Sequence, residues 1–135
     1  MRADRIADYL YQSGSVADAL RYATIIWPDF VEIDEMIFLA AERAAQPDLE
    51  DPGTTLRSRF ENDRSRMERE FNLISVPTLF AVGVSEPEAE LMRLASVLLS
   101  SWRAKLGSDY PERQFVVEML TGEVDDPTLR FFAVR

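Results

Sequence analysis

Histidine and cysteine are both absent from this chain of 135 residues. Without cysteine there is no disulfide, no zinc–thiolate site, no iron–sulfur ligation and no thiol nucleophile. Without histidine there is no Ser-His-Asp triad, and the commonest general base is missing. Glycine is scarce. The five residues at 14, 53, 83, 107 and 122 are too scattered for a G-x-G-x-x-G turn or a Walker loop. Positive charge is thin as well: 24 acidic residues face 15 basic ones, for a net charge of −9, and Lys105 is the single lysine. That balance works against binding nucleic-acid phosphate or anionic lipid. The longest stretch free of charge, residues 71–85, is interrupted by Pro77 and Gly83 and is too short to span a bilayer as a helix. No nucleic acid, membrane, cofactor or metal is therefore expected as a partner.

What is present suits a packed domain. Hydrophobic residues make up 47% and charged residues 29%, a globular rather than a disordered balance. A chain of this length buries roughly two-thirds of its extended surface on folding, so residues 1–135 are read as one domain that needs no metal or disulfide. The run Met1-Arg2-Ala3-Asp4-Arg5, followed by Asp8, lacks the apolar core of a signal peptide. A cytoplasmic location is expected, and the near-exclusive use of arginine over lysine suggests a GC-rich bacterial genome.

Periodicity predicts a short helix over residues 3–12. Ser15 then caps a second helix, with Asp18 completing a weak capping box. Val16, Ala19, Leu20, Ala23 and Trp27 share one face of it, expected to pack inward, and Pro28 stops it. Residues 30–41 fit two structures. Phe30, Ile33, Ile37 and Ala40 match helical spacing, whereas two apolar, β-prone runs flank Asp34-Glu35 like the strands of a hairpin. The hairpin is preferred, although Asp34-Glu35 lacks the glycine that tight turns favour. After a surface loop over 46–55, Thr54 or Thr55 is expected to cap a charged surface helix ending near Phe71, laced by i,i+4 pairs such as Arg64 with Glu68 and Arg66 with Glu70. The last helix opens at Glu86, Glu88 and Glu90, carries the stripe Leu91, Leu94, Ala95, Leu98, Trp102 and Leu106, and is expected to end at Gly107. Strands at about 114–120 and 129–134 form a C-terminal hairpin. The expected class is α+β: four or so helices packed on one face of a small, mainly antiparallel sheet.

Carboxylates are the abundant catalytic type that remains. Asp48-Leu49-Glu50-Asp51 lacks the alternation and glycine of a calcium loop. Glu32, Asp34 and Glu35 cluster at the presumed turn, where polar residues are expected in any case, and Asp125-Asp126-Pro127 reads as turn chemistry. Ser101 and Lys105 stand i,i+4, but a Ser-x-x-Lys nucleophile motif is missing and the structural reading is preferred. Ile74-Ser75-Val76-Pro77-Thr78-Leu79-Phe80, followed by Gly83, resembles the cis-proline strand of thioredoxin-like proteins over about ten residues. That family's active cysteine has no counterpart here. The plainer reading places Pro77 at a sheet edge or the start of a turn.

Adjacent strand residues point to opposite faces, so with helices on one side only, either Phe131 or Phe132 faces away from the core. Phe115, Val117, Met119 or Val116 would accompany it, and such an apolar face needs a cover. The candidate partner-binding residues are therefore Phe115, Val117, Phe131 and Phe132, with the acidic Glu32, Asp34 and Glu35. No catalytic residue is assigned. The expected function is non-enzymatic recognition of another protein, of the inhibitor or immunity type, or self-association as a homodimer. The alternative is a carboxylate-dependent enzyme, with or without a divalent metal, using the Asp48 loop or the region from Glu32 to Glu35.

Overall fold

A computed structural model of the chain describes residues 14–40, 63–79, 87–122 and 127–135. These form helix α1 (Val16–Ile26), strands β1 (Phe30–Ile33) and β2 (Met36–Leu39), helix α2 (Arg64–Phe71), strand β3 (Leu73–Ser75), a 3-10 turn (Pro77–Leu79), helix α3 (Glu88–Asp109), and strands β4 (Phe115–Leu120) and β5 (Thr128–Ala133). The class is α+β. Three α-helices and two small antiparallel sheets lie among the described residues, in place of four helices on a single sheet. The helix expected over 3–12, the loop over 46–55 and the Asp48 and Asp125 acidic groups lie outside them.

Residues 30–41 contain the hairpin. Phe30 pairs with Leu39 and Ile33 with Met36, leaving Asp34 and Glu35 as a two-residue turn. Both have positive φ, 52° and 67°, as a type I′ turn requires. Strand wins over helix because β2 is buried on both faces. Ile37 and Leu39 enter a core with Trp102, Leu98, Leu106, Leu129 and Phe131, whereas Met36 and Phe38 enter a second cluster with Met67. A helix would turn one of those residue pairs away. Each fully buried large side chain contributes about 1.5–3 kcal/mol relative to exposure, so the alternation decides the structure.

The second sheet has the order β3-β5-β4. Strands β4 and β5 pair antiparallel, Phe115 with Ala133 through Leu120 with Thr128. On the other side of β5, β3 reaches only Thr128, Leu129 and Arg130, and Pro77 opens the 3-10 turn that follows. The helices do not share one face. Trp102 of α3 stacks edge-on to Phe131, whereas Arg69 of α2 lies 4.7 Å over the ring of Phe132 on the opposite face.

The charged helix differs most from its sequence reading. It begins at Arg64, because Asp63 has extended dihedrals and its carboxylate accepts the Arg66 amide at 3.0 Å; Thr54 and Thr55, the expected caps, lie outside the described residues. Glu68, expected on the surface with Arg64, is fully buried, as is Asn72. Glu68 accepts the Ile37 amide of β2 at 2.9 Å through Oε2, and the Ala133 amide of β5 at 3.2 Å through Oε1. Asn72 accepts the Leu39 amide at 3.3 Å and donates to the carbonyls of Ile37 (2.7 Å) and Phe131 (3.4 Å). Buried backbone groups must be paired. Where β2 and β5 would otherwise meet, α2 supplies the partners from its side chains, and two sheets form in place of one. Arg135 and the hydroxyl of Ser65 extend this seam, pairing with Glu68 and the Ala133 carbonyl respectively.

Helix α3 continues past Gly107 to Asp109. Its C-cap is Tyr110, whose amide still finds the Leu106 carbonyl at 2.9 Å. Gly107 therefore acts as an ordinary helical residue and not as a left-handed terminator.

Replacing Glu68 by Gln leaves one acceptor oxygen for two buried amides and removes the charge beside Arg135. The Glu68→Gln variant is expected to lose about 3 kcal/mol of stability in urea denaturation. A loss below about 1 kcal/mol would mean that the seam is not holding the sheets together.

Candidate functional site

The acidic candidates are occupied from within the chain. Glu32 is ion-paired with Arg113, from the segment between α3 and β4. Arg64 of α2 donates to the Asp34 carbonyl at 3.1 Å, with its Nη2 3.6 Å from the Asp34 carboxylate. The Glu35 carbonyl receives Arg113 at 2.9 Å and Arg135 at 2.8 Å. Three arginines from three parts of the chain thus grip one two-residue turn. Beside them, burial first, and then the charges of Glu32 and Asp109, raise the Tyr110 phenol above its ordinary pKa. The Glu35 carboxylate, 77% exposed, is the one acidic group of the three that stays largely in water.

The apolar candidates divide between two faces. Phe131 is fully buried and is the hub of an aromatic cluster, with Phe30 at 5.2 Å, Trp102 at 6.1 Å and Phe115 at 6.5 Å. Val117 is buried beside it, and Phe115 packs against the same core. Phe132 lies on the other face, opposite Val116 and next to the Glu118–Arg130 ion pair, half-buried under Arg69. Both faces thus carry helical cover, and these four side chains do not form one open patch.

Among the described residues, most of the exposed large apolar side chains lie on α1 or at its C-cap, with Leu73, Val97 and Val134 exposed elsewhere. Ser15 caps this helix as expected, accepting the Asp18 amide at 3.1 Å. Its C-terminal end is anchored to α3. The Trp102 indole donates to the Ile25 carbonyl at 2.8 Å, the Ser101 hydroxyl donates to the Ile26 carbonyl, and Lys105 lies 5.8 Å from the centre of the Trp27 ring. Ser101 and Lys105 therefore do not pair with each other; Lys105 pairs with Asp109 at 2.6 Å. Beyond this anchor no residue of α1 is buried. Val16 is 78% exposed, Leu20 63% and Trp27 50%, so the face expected to pack inward does not.

Part of that face overhangs a cavity of about 390 Å³, walled by Leu20, Ala23 and Trp27 and floored by Leu39, Ile74 and Trp102. At about 30 Å³ per water, it is roomy enough for about a dozen. Thr24 and Asp29 supply its few polar side chains. The Thr24 hydroxyl already donates to the Arg21 carbonyl at 2.6 Å, whereas the exposed Asp29 carboxylate has no partner among the described residues. Among the described residues, no nucleophile–base pair lines the cavity. Among the described residues, no group of three or more acidic side chains converges as a metal site, and no helix is long and apolar enough to cross a membrane. Sequence reasoning found the α1 stripe but assigned it to the core; its spacing signals an apolar face, not what lies opposite.

No protein-family model matches the chain, and neither a curated protein nor a solved structure matches it at a significant level.

The turn clamp has a direct test. The arginines bind backbone carbonyls, so Glu35→Gly keeps those contacts and removes the left-handed strain, worth about 1–2 kcal/mol, at some entropic cost. A net gain of about 0.5–1 kcal/mol in urea denaturation is expected. A loss of that size would assign the clamp to the Glu35 side chain.

Proposed function

We propose that the chain is a non-enzymatic interaction domain, of the inhibitor or immunity type, that binds a protein partner through the α1 groove. One observation carries the reading: Val16, Leu20 and Trp27 are left exposed on a single helix face above an apolar cavity. Exposed apolar surface joined to a cavity is uncommon on a monomer without a binding role. Hydrogen bonds from α3 to the Ile25 and Ile26 carbonyls position the helix before a partner arrives, which lowers the ordering cost of association. The carboxylate-enzyme alternative draws no support from Glu32, Asp34 and Glu35, whose charges or carbonyls are already gripped by arginine.

The test is affinity capture on immobilised wild-type protein and on a Leu20→Asp variant. Leu20 is mostly exposed, so the variant is expected to keep its stability within about 0.5 kcal/mol. A partner retained by the wild type and lost by the variant is the expected result. Equal retention on both would remove α1 from the interface.

A further inference from the structure

We infer that the α1 groove takes an amphipathic helix of the partner, apolar on one face and basic on its flanks; this rests on the interaction reading above. Val16, Leu20, Ala23 and Trp27 follow one another at spacings of four, three and four. That is the seam with which one helix receives another at a shallow angle. Ala23, in the middle, permits close approach, and the neighbouring Ala17, Ala19 and Thr24 carry no charge to obstruct it. Ile25, on the far side of the helix, packs against the core, whereas Leu20, Ala23 and Trp27 of the seam line the cavity. The helix has 11 residues, about 16 Å of length at 1.5 Å per residue, and faces roughly three turns of a partner. Apolar side chains of such a helix would enter the cavity beneath.

The surrounding charges select the sign of the flanks. Asp18 is paired with Arg21 on α1, and Lys105 with Asp109 on α3, so these four cancel. Asp29, at the cavity wall, has no ion-pair partner among the described residues, on a chain of net charge −9. A basic helix is drawn to this site over long range. A second copy would bring −9 to meet −9, with its own Asp29 at the same mouth, and is disfavoured for that reason.

The chain's two tryptophans, Trp27 and Trp102, both line the cavity, so their emission reports on occupancy. The probes are two synthetic amphipathic peptides of about 15 residues with identical leucine positions, one lysine-rich and one glutamate-rich. The lysine peptide is expected to shift tryptophan emission to the blue and to bind at least tenfold more tightly than the glutamate peptide, about 1.4 kcal/mol, with affinity falling as salt rises. Leu20→Asp is expected to weaken it at least tenfold, although that change makes the surface more acidic. Unchanged or tighter binding to Leu20→Asp would overturn the proposal, because only surface charge would then be at work. Equal affinity for the two peptides would overturn the basic helix and leave the groove as an interface. No emission shift, together with a dimer in light scattering that Leu20→Asp dissolves, would assign the groove to a second copy. No shift and no dimer would overturn the inferred occupant, whereas the interaction reading stands or falls on the affinity capture with Leu20→Asp.

Discussion

Glu68 and Asn72 are where the two sheets become one structure. Strand β2 presents the Ile37 and Leu39 amides and the Ile37 carbonyl on the edge not used by β1; β5 presents the Phe131 carbonyl and the Ala133 amide beyond the end of β3. These groups reach the two side chains of α2 and not each other. A carboxylate is costly to bury unless its charge is paired and its lone pairs are used. Here Arg135 meets the charge and two amides use the oxygens. The arrangement demands that α2, β2 and β5 be placed together, which ties the hairpin to the sheet independently of apolar contact.

That constraint determines which surfaces are left over. With α2 held at the seam, Arg69 covers Phe132, and Arg64 reaches the hairpin turn. With the hairpin held against β5, Phe30 closes over Phe131, and Arg113 and Arg135 grip Glu35. The central elements turn their apolar and acidic groups toward one another. Helix α1 is outside this arrangement. It is fastened by two side chains of α3 at its last turn, and Leu20, Ala23 and Trp27 of its apolar stripe face the core residues Leu39, Ile74 and Trp102 across the cavity.

Local chemistry was legible in the sequence. Ser15 and Pro28 bound α1, and the apolar, β-prone run of β2 reads as one strand of a hairpin. The turn at Asp34 and Glu35 was visible from the apolar, β-prone runs that flank it; what lets it form without glycine, the support of distant arginines, was not. Long-range choices were not legible. Burial of Glu68 depends on amides 31 and 65 residues away, and its spacing from Arg64 suggests an ordinary surface pair. Alternation places Phe131 and Phe132 on opposite faces, but which face is covered depends on where α2 docks. Gly107 resembles a helix terminator, yet termination waits until Tyr110, after its amide has met Leu106. The α1 stripe has the same pattern whether it faces a core or a groove.

The most direct measurement of the central claim is native-state hydrogen exchange at the Ile37, Leu39 and Ala133 amides. If Glu68 and Asn72 join the sheets into one cooperative unit, these three amides exchange only through global unfolding, with the same free energy as the amides between β4 and β5. Exchange of the three at a free energy several kcal/mol lower, while the β4–β5 amides stay protected, would show that the hairpin opens independently and would contradict the account.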